Sequence, residues 1–147
     1  MTKIKTNKTC PLRKWFRRCA LMRIGKTLVR ASEQSSAVGD DILYGLPGVF
    51  SLCIVYKGTS LRLIKEANTF RIMKPSEKSE VLLVIEPLDD AALGDVCFGN
   101  ATWQKIYAEG RLSFAGKIKY ATLFLRVAAE GDKVCLKEKK YQDLYGE

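Results

Sequence analysis

No histidine occurs anywhere in the 147 residues. That excludes Ser-His and Cys-His nucleophiles and removes the usual acid/base group of neutral pH. Catalysis would rest on carboxylates, lysine or tyrosine. The acidic pairs Asp40-Asp41 and Asp89-Asp90 read instead as helix or turn starts. Paired cysteines are also missing. Cys10, Cys19, Cys53, Cys97 and Cys135 are scattered with no C-x-x-C, so they read as reduced thiols and not as a disulfide framework or zinc site. Cys53 and Cys97, in apolar surroundings, read as small core residues. No run approaches the roughly 20 apolar residues of a membrane span, and Arg17, Arg18 and Arg23 interrupt what would be the apolar part of a secretory signal. The expectation is a non-enzymatic cytoplasmic protein with no metal and no cofactor.

Acid is missing from one end. Residues 1–31 hold ten Lys/Arg and no Asp or Glu, while the other 116 hold fifteen basic and sixteen acidic side chains. The whole excess of +9 therefore sits in a cationic N-terminal arm attached to a near-neutral body. We divide the chain accordingly into an arm and linker, 1–35, and a domain, 36–147.

Pro11 suits the first turn of a helix reaching about Ala31. Leu12, Trp15, Phe16, Cys19 and Ala20 share one face of it, with Arg13, Lys14, Arg17 and Arg18 opposite. Past Leu21 the phase changes, so we expect two short amphipathic pieces joined by a bend at Gly25. The first is free to touch a surface and the second docks on the domain. Ser32 to Asp41 is small and polar and reads as a linker.

Strand-like runs follow: Val49–Tyr56, with Phe50, Leu52, Ile54 and Tyr56 on one face, then Leu61–Leu63 and Phe70–Ile72, then Val81–Ile85, apolar on both faces. Asp89 or Asp90 caps a short helix ended by Gly99, and Asn100 caps a second ended by Gly110. Leu112 and Phe114 make a fifth strand. Gly116 precedes a last helix carrying Tyr120, Leu123, Phe124 and Val127, closing near Gly131.

The glycines of GNATWQKIYAEGRLSFAGK, residues 99–117, do not form a phosphate loop. Such a loop needs four residues between its glycines and Lys-Ser/Thr after the second, whereas Gly110 and Gly116 enclose five and Lys117 precedes Ile118. Gly25-Lys26-Thr27 has Ala20 where the first glycine belongs. Gly110 and Gly116 are backbone corners, and a Cβ on Gly116 is expected to meet Phe114 or Tyr120. The inward aromatics read individually as core, since periodicity does not separate a filled core from a hollow one.

The order of four strands, two short helices, strand and helix resembles the sterol carrier protein 2 (SCP2) family. So do the intervals Gly99 to Gly110 and Gly110 to Gly116, the stretch EGRLSFAGK, and VLLVIEPLDDAAL with its strand, acidic turn and helix. The similarity covers about residues 45–130. It implies an α+β fold, a mostly antiparallel five-stranded sheet with helices on one face, here preceded by a basic N-terminal helix. It also implies an apolar tunnel for a sterol-like, fatty acyl, phospholipid or isoprenoid quinone ligand. On that implication Phe50, Leu52, Phe70, Val84, Trp103, Tyr107, Leu112, Phe114, Tyr120 and Phe124 line the tunnel. The family brings no catalytic residues to carry over.

Arg13, Lys14, Trp15, Phe16, Arg17 and Arg18 are then expected to contact an anionic membrane, on its inner, cytoplasmic face. A lipid-modifying enzyme would be a further partner. Deleting residues 1–31 is expected to leave the domain folded. The competing reading is a nucleic-acid- or ribosome-associated protein that uses the same arm on phosphates. Against it stand the neutral body and the apolar residues interleaved at helical spacing.

Overall fold

The computed structural model describes residues 11–34, 45–67 and 69–145, and side chains within these from residue 14 to 133. The elements are α1 (Pro11–Gln34), β1 (Phe50–Tyr56), β2 (Thr59–Glu66), β3 (Thr69–Ile72), β4 (Val81–Pro87), α2 (Asp90–Phe98), α3 (Trp103–Ala108), β5 (Leu112–Gly116) and α4 (Ile118–Tyr145). Five strands form one sheet in the order β3-β2-β1-β4-β5. Among the described residues only the β1–β4 pairing is parallel. The result is the α+β arrangement expected, with β1 at the centre.

Two positive-φ residues, Lys57 (44°) and Gly58 (80°), close the β1–β2 hairpin, the backbone hand that matches strand twist. Alternation along β2, with Thr59, Leu61, Leu63 and Lys65 buried and the residues between them exposed or half-buried, shows one covered face. Register carries that face across the sheet. Leu52 lies opposite Leu63 and beside Leu83, Lys65 opposite Phe70, and Ile85 opposite Phe114. The apolar members of this face form the hydrophobic core with side chains of all four helices.

α1 is a single helix, not two pieces with a bend. Leu21, Ile24, Leu28 and Ala31 are buried at helical spacing, whereas Trp15, Phe16 and Cys19 one to two turns earlier are exposed. The phase change in the sequence therefore marks which face meets the sheet, with no break in the backbone. Gly25 serves a close approach instead, since a Cβ there would run into the Leu61 side chain. Ser32, expected in a linker, is a buried helical residue. Its Oγ donates to the Val29 carbonyl (2.6 Å) and accepts the N–H of Phe70 on edge strand β3 (3.0 Å). The proposed boundary at residue 35 lies outside the described residues. Because residues 20–31 supply core, the expectation that a chain lacking 1–31 stays folded is corrected here.

The far end of the chain differs too. α4 runs on through Gly131, where a Cβ would approach Thr27 Cγ2 at 3.4 Å and Ala31 Cβ at 3.8 Å, so α1 and α4 pack closely at that point. Asp89 caps α2 by accepting from the Ala92 N–H (2.7 Å), and Gly99 closes it with φ +75°. Thr102, not Asn100, caps α3 through the Lys105 N–H (3.1 Å). Cys53 and Cys97 are both buried, as expected of small core residues.

Candidate ligand-binding site

Eight of the ten residues expected around a tunnel are brought together in or against the core. Phe50, Leu52, Phe70, Trp103, Leu112 and Phe124 belong to the core cluster, and Phe114 and Tyr120 pack against it. Their rings touch in series. Trp103 meets Phe124 edge-on at 5.2 Å, Phe124 meets Phe114 at 5.9 Å, and Phe114 meets Tyr107 at 5.3 Å. Tyr120 is half-buried and meets Phe50 at 5.1 Å. Tyr107 sits at the outer end of this series, 45% exposed.

Val84 is placed differently. It pairs with Cys53 and Ala115, one residue out of phase with Leu83 and Ile85, and so stands on the opposite face of the sheet. A run apolar on both faces offers no signal for which of its residues point inward.

The first half of α1 gathers a second group. Trp15 is 60% and Phe16 48% exposed. Phe16 lies 6.4 Å from the ring of Phe98, itself 51% exposed at the end of α2. Arg23 sits over Phe98 (5.7 Å) and donates to the Cys97 carbonyl (2.9 Å), tying α1 to α2. Arg17 lies over the ring of Tyr56 (5.9 Å). Tyr56 donates its hydroxyl to Asp90, which Lys57 also approaches at 3.4 Å. Burial and then the Asp90 bond raise the Tyr56 pKa, and the Tyr56 bond lowers that of Asp90. Of the six surface-contact candidates, Lys14, Trp15, Phe16 and Arg18 are exposed and Arg17 is half-buried. The Arg13 side chain lies outside the described residues. Phe98 was missed because it ends a helix whose Ala92, Leu93, Val96 and Cys97 are buried, and nothing local sets it apart from them.

Two clefts flank α1. One of about 640 Å³ lies between its second half and β3, lined by Lys26, Val29, Glu33, Phe70 and Ile72 among others. The other, about 680 Å³, opens between residues 15–22 of α1 and the stretch of β2 that extends past the end of β3. Leu21, Leu61, Ile72 and Met73 are among the apolar side chains lining it.

The remaining strongly shifted acids have structural causes. Arg71 bridges Glu66 (2.9 Å) and Glu77 (2.8 Å), and with the Lys74 N–H it holds Glu77 down at about 2. Burial lifts Asp132 to about 6, partly offset by the influence of the Trp103 backbone N–H. Among the described residues no cluster of Cys, Asp and Glu could hold a metal, and no helix is long and apolar enough to cross a membrane.

No family model matches the sequence, and no curated protein does. Solved structures do resemble it. One described as a UbiJ-SCP2 ubiquinone synthesis protein superposes with a TM-score of 0.53 at 16% identity, over 78% of this chain and 92% of that one. A protein of Thermus thermophilus described as possibly a sterol carrier protein gives 0.51 at 19% identity, over 76% and 83%. The sterol carrier protein domain 2 of Helicoverpa armigera gives 0.50 at 14% identity, over 78% and 89%. The chain has the SCP2-like fold.

Proposed function

We propose that this protein binds a hydrophobic ligand and presents or transfers it at an anionic membrane surface. The observation that carries the reading is the pairing of an SCP2-like fold with an exposed aromatic group, Trp15, Phe16 and Phe98, set among Lys14, Arg17, Arg18 and Arg23. Neighbours of this fold are described as sterol carrier and ubiquinone synthesis proteins. That supports a sterol-like, fatty acyl, phospholipid or isoprenoid quinone ligand. We assign the interior of the helix-covered face, from Phe50 through Trp103 to Phe124, to hold it. Val84 takes no part.

Basic residues near an anionic leaflet gain about 1 kcal/mol each, and the aromatic rings add interfacial burial. Nucleic acid would use the same cations on its phosphates, but the body beyond residue 31 offers no continuing basic surface, with fifteen basic and sixteen acidic side chains. The role is binding rather than catalysis, with the N-terminal segment as the membrane-contacting part and a lipid-modifying enzyme as the recipient.

Native mass spectrometry of freshly purified protein, followed by organic extraction, is expected to reveal a co-purifying lipid. Flotation with anionic vesicles and an RNA gel shift, run at the same ionic strength, complete the test. Vesicle binding that falls with salt and exceeds RNA binding supports the reading. RNA binding without flotation overturns it.

A further inference from the structure

The two edges of the sheet are finished differently. α1 lies alongside β3, and the outward N–H of Phe70 is taken by the Ser32 hydroxyl. β5 offers bare backbone instead. The Leu88 N–H donates to the Arg111 carbonyl (3.0 Å), which fixes the phase of the ladder between β4 and β5. Hydrogen bonding alternates along an antiparallel pair, so the peptide groups of Ser113 and Ala115 face β4 and those of Leu112 and Phe114 point outward. Pro87, opposite Leu112 and lacking an N–H, agrees with that phase. Among the described residues no hydrogen bond takes up the outward N–H of Leu112 or Phe114.

An unguarded edge is a template for another strand, and sheets ordinarily blunt one with charge, proline or a covering element. Leu112–Gly116 has no charged residue and no proline, and its Ser113, Ala115 and Gly116 are exposed. Apolar surface flanks it at both ends. Tyr107, packed on Phe114, is 45% exposed, and Ile118, the first residue of α4, is 81% exposed. Charge is divided along the same edge. At the Gly110 end Arg111 is surrounded by Asp95 (3.0 Å), Glu109 (3.0 Å) and Asp89 (3.8 Å), three carboxylates to one guanidinium. At the Gly116 end stand Lys117 and Lys119, both exposed and in no ion pair among the described residues.

We propose that β5 is a self-association edge, where a second copy of this chain adds its own β5 antiparallel about a two-fold axis. Charge selects this occupant. Antiparallel pairing lays the acidic end of each strand against the basic end of the other, whereas parallel pairing sets like against like. With the axis at Phe114, the two Phe114 residues exchange N–H and C=O bonds, and Leu112 pairs with Gly116 of the second copy. Ile118 of each copy then reaches the Gly110 corner of the other, beside Tyr107, and Glu109 faces Lys119. The two series of rings that end at Phe114 and Tyr107 meet across the axis. An edge of five residues buries less than the roughly 1,200–2,000 Å² of a stable complex, so the dimer is weak and forms as concentration rises. The proposal is independent of the lipid-binding reading, and no lipid enters its test.

Sedimentation velocity of the full-length protein over about a hundredfold range of concentration is expected to show a shift from monomer to dimer. Ile118→Glu changes an exposed side chain and should raise the dimer Kd about tenfold, with Tm unchanged at the lowest concentration. Glu109→Lys and Lys119→Glu should each weaken the dimer, and the double variant should restore it, because the two charges trade places across the axis. Register is read separately. The axis sets Ser113 against Ala115 of the second copy, with both side chains on the uncovered face of the sheet. Mixing Ser113→Cys with Ala115→Cys under mild oxidation should give a cross-linked dimer that neither variant nor the wild type gives alone. A monomer at every concentration overturns the proposal. A dimer that neither Ile118→Glu nor the single charge reversals weaken also overturns it, as does a mixture that cross-links no better than its separate components.

Discussion

A Cβ on Gly116 would stand 2.5 Å from the carbonyl oxygen of Leu82 and 3.3 Å from the Cα of Leu83. The crowding comes from the backbone of β4, not from Phe114 or Tyr120 as side-chain spacing suggested. Gly116 also holds φ at +137°, where β5 turns toward α4. Gly110 has φ +75° but open space around it. Gly110→Val should therefore cost only the left-handed strain of about 1–2 kcal/mol. Gly116→Val adds a backbone clash and should cost clearly more. Thermal melts check this; equal losses at the two positions would contradict it, and ATP should change neither melt.

Asp132 supplies a pH signature. Burial raises its folded-state pKa from the ordinary 3.8 to about 6. Ionisation is thus harder in the folded protein than in the unfolded chain. The stability contributed by the proton is full below about pH 3.8 and is lost as pH rises through about 6. Asn at this position has nearly the same shape and stays neutral at every pH. Asp132→Asn should match the wild type near pH 4 and exceed it by about 2 kcal/mol above pH 7. Denaturant melts across that range measure the difference, and a gap independent of pH would show that burial does not oppose the charge.

Truncation separates the two halves of α1. Removing residues 1–31 strips Leu21, Ile24, Leu28 and Ala31 from the core. Each large side chain contributes about 1.5–3 kcal/mol of burial, against a total stability of roughly 5–15 kcal/mol. That truncation should not fold. Trp15→Ser with Phe16→Ser touches only exposed positions and should leave Tm within a degree or two while weakening attachment to anionic vesicles. Circular dichroism and flotation report the two effects, and unchanged flotation in the folded double variant would remove the first half of α1 from the membrane contact.

Much of the fold was legible because it depends on local chemistry. Alternation gave β1 and β2, Asp89 and Gly99 bounded α2, and Pro11 opened α1. Legibility stopped where one residue's role depends on a distant partner. Gly25 looked like a hinge because a helix pattern says nothing of Leu61, 36 positions on. Ser32 looked like linker because its partner is the N–H of Phe70. Gly131 looked like a helix end, since the close passage of α1 is invisible along the chain. Eight of the ten tunnel candidates pack in or against the core, yet the exposure of Phe98 had no sequence signal.

The sequence by itself determined the charge asymmetry, the absence of histidine chemistry, the strands and short helices, and the corner glycines. All of these follow from composition or from contacts within a few residues. Tertiary structure alone decided that β1 pairs in parallel with β4, putting Val84 on the far face and Leu83 in the core. It also decided that the same helix is core from Leu21 onward and exposed at Trp15 and Phe16. Both outcomes depend on which surfaces meet across the fold, and a linear pattern of apolar residues states only that some surface must.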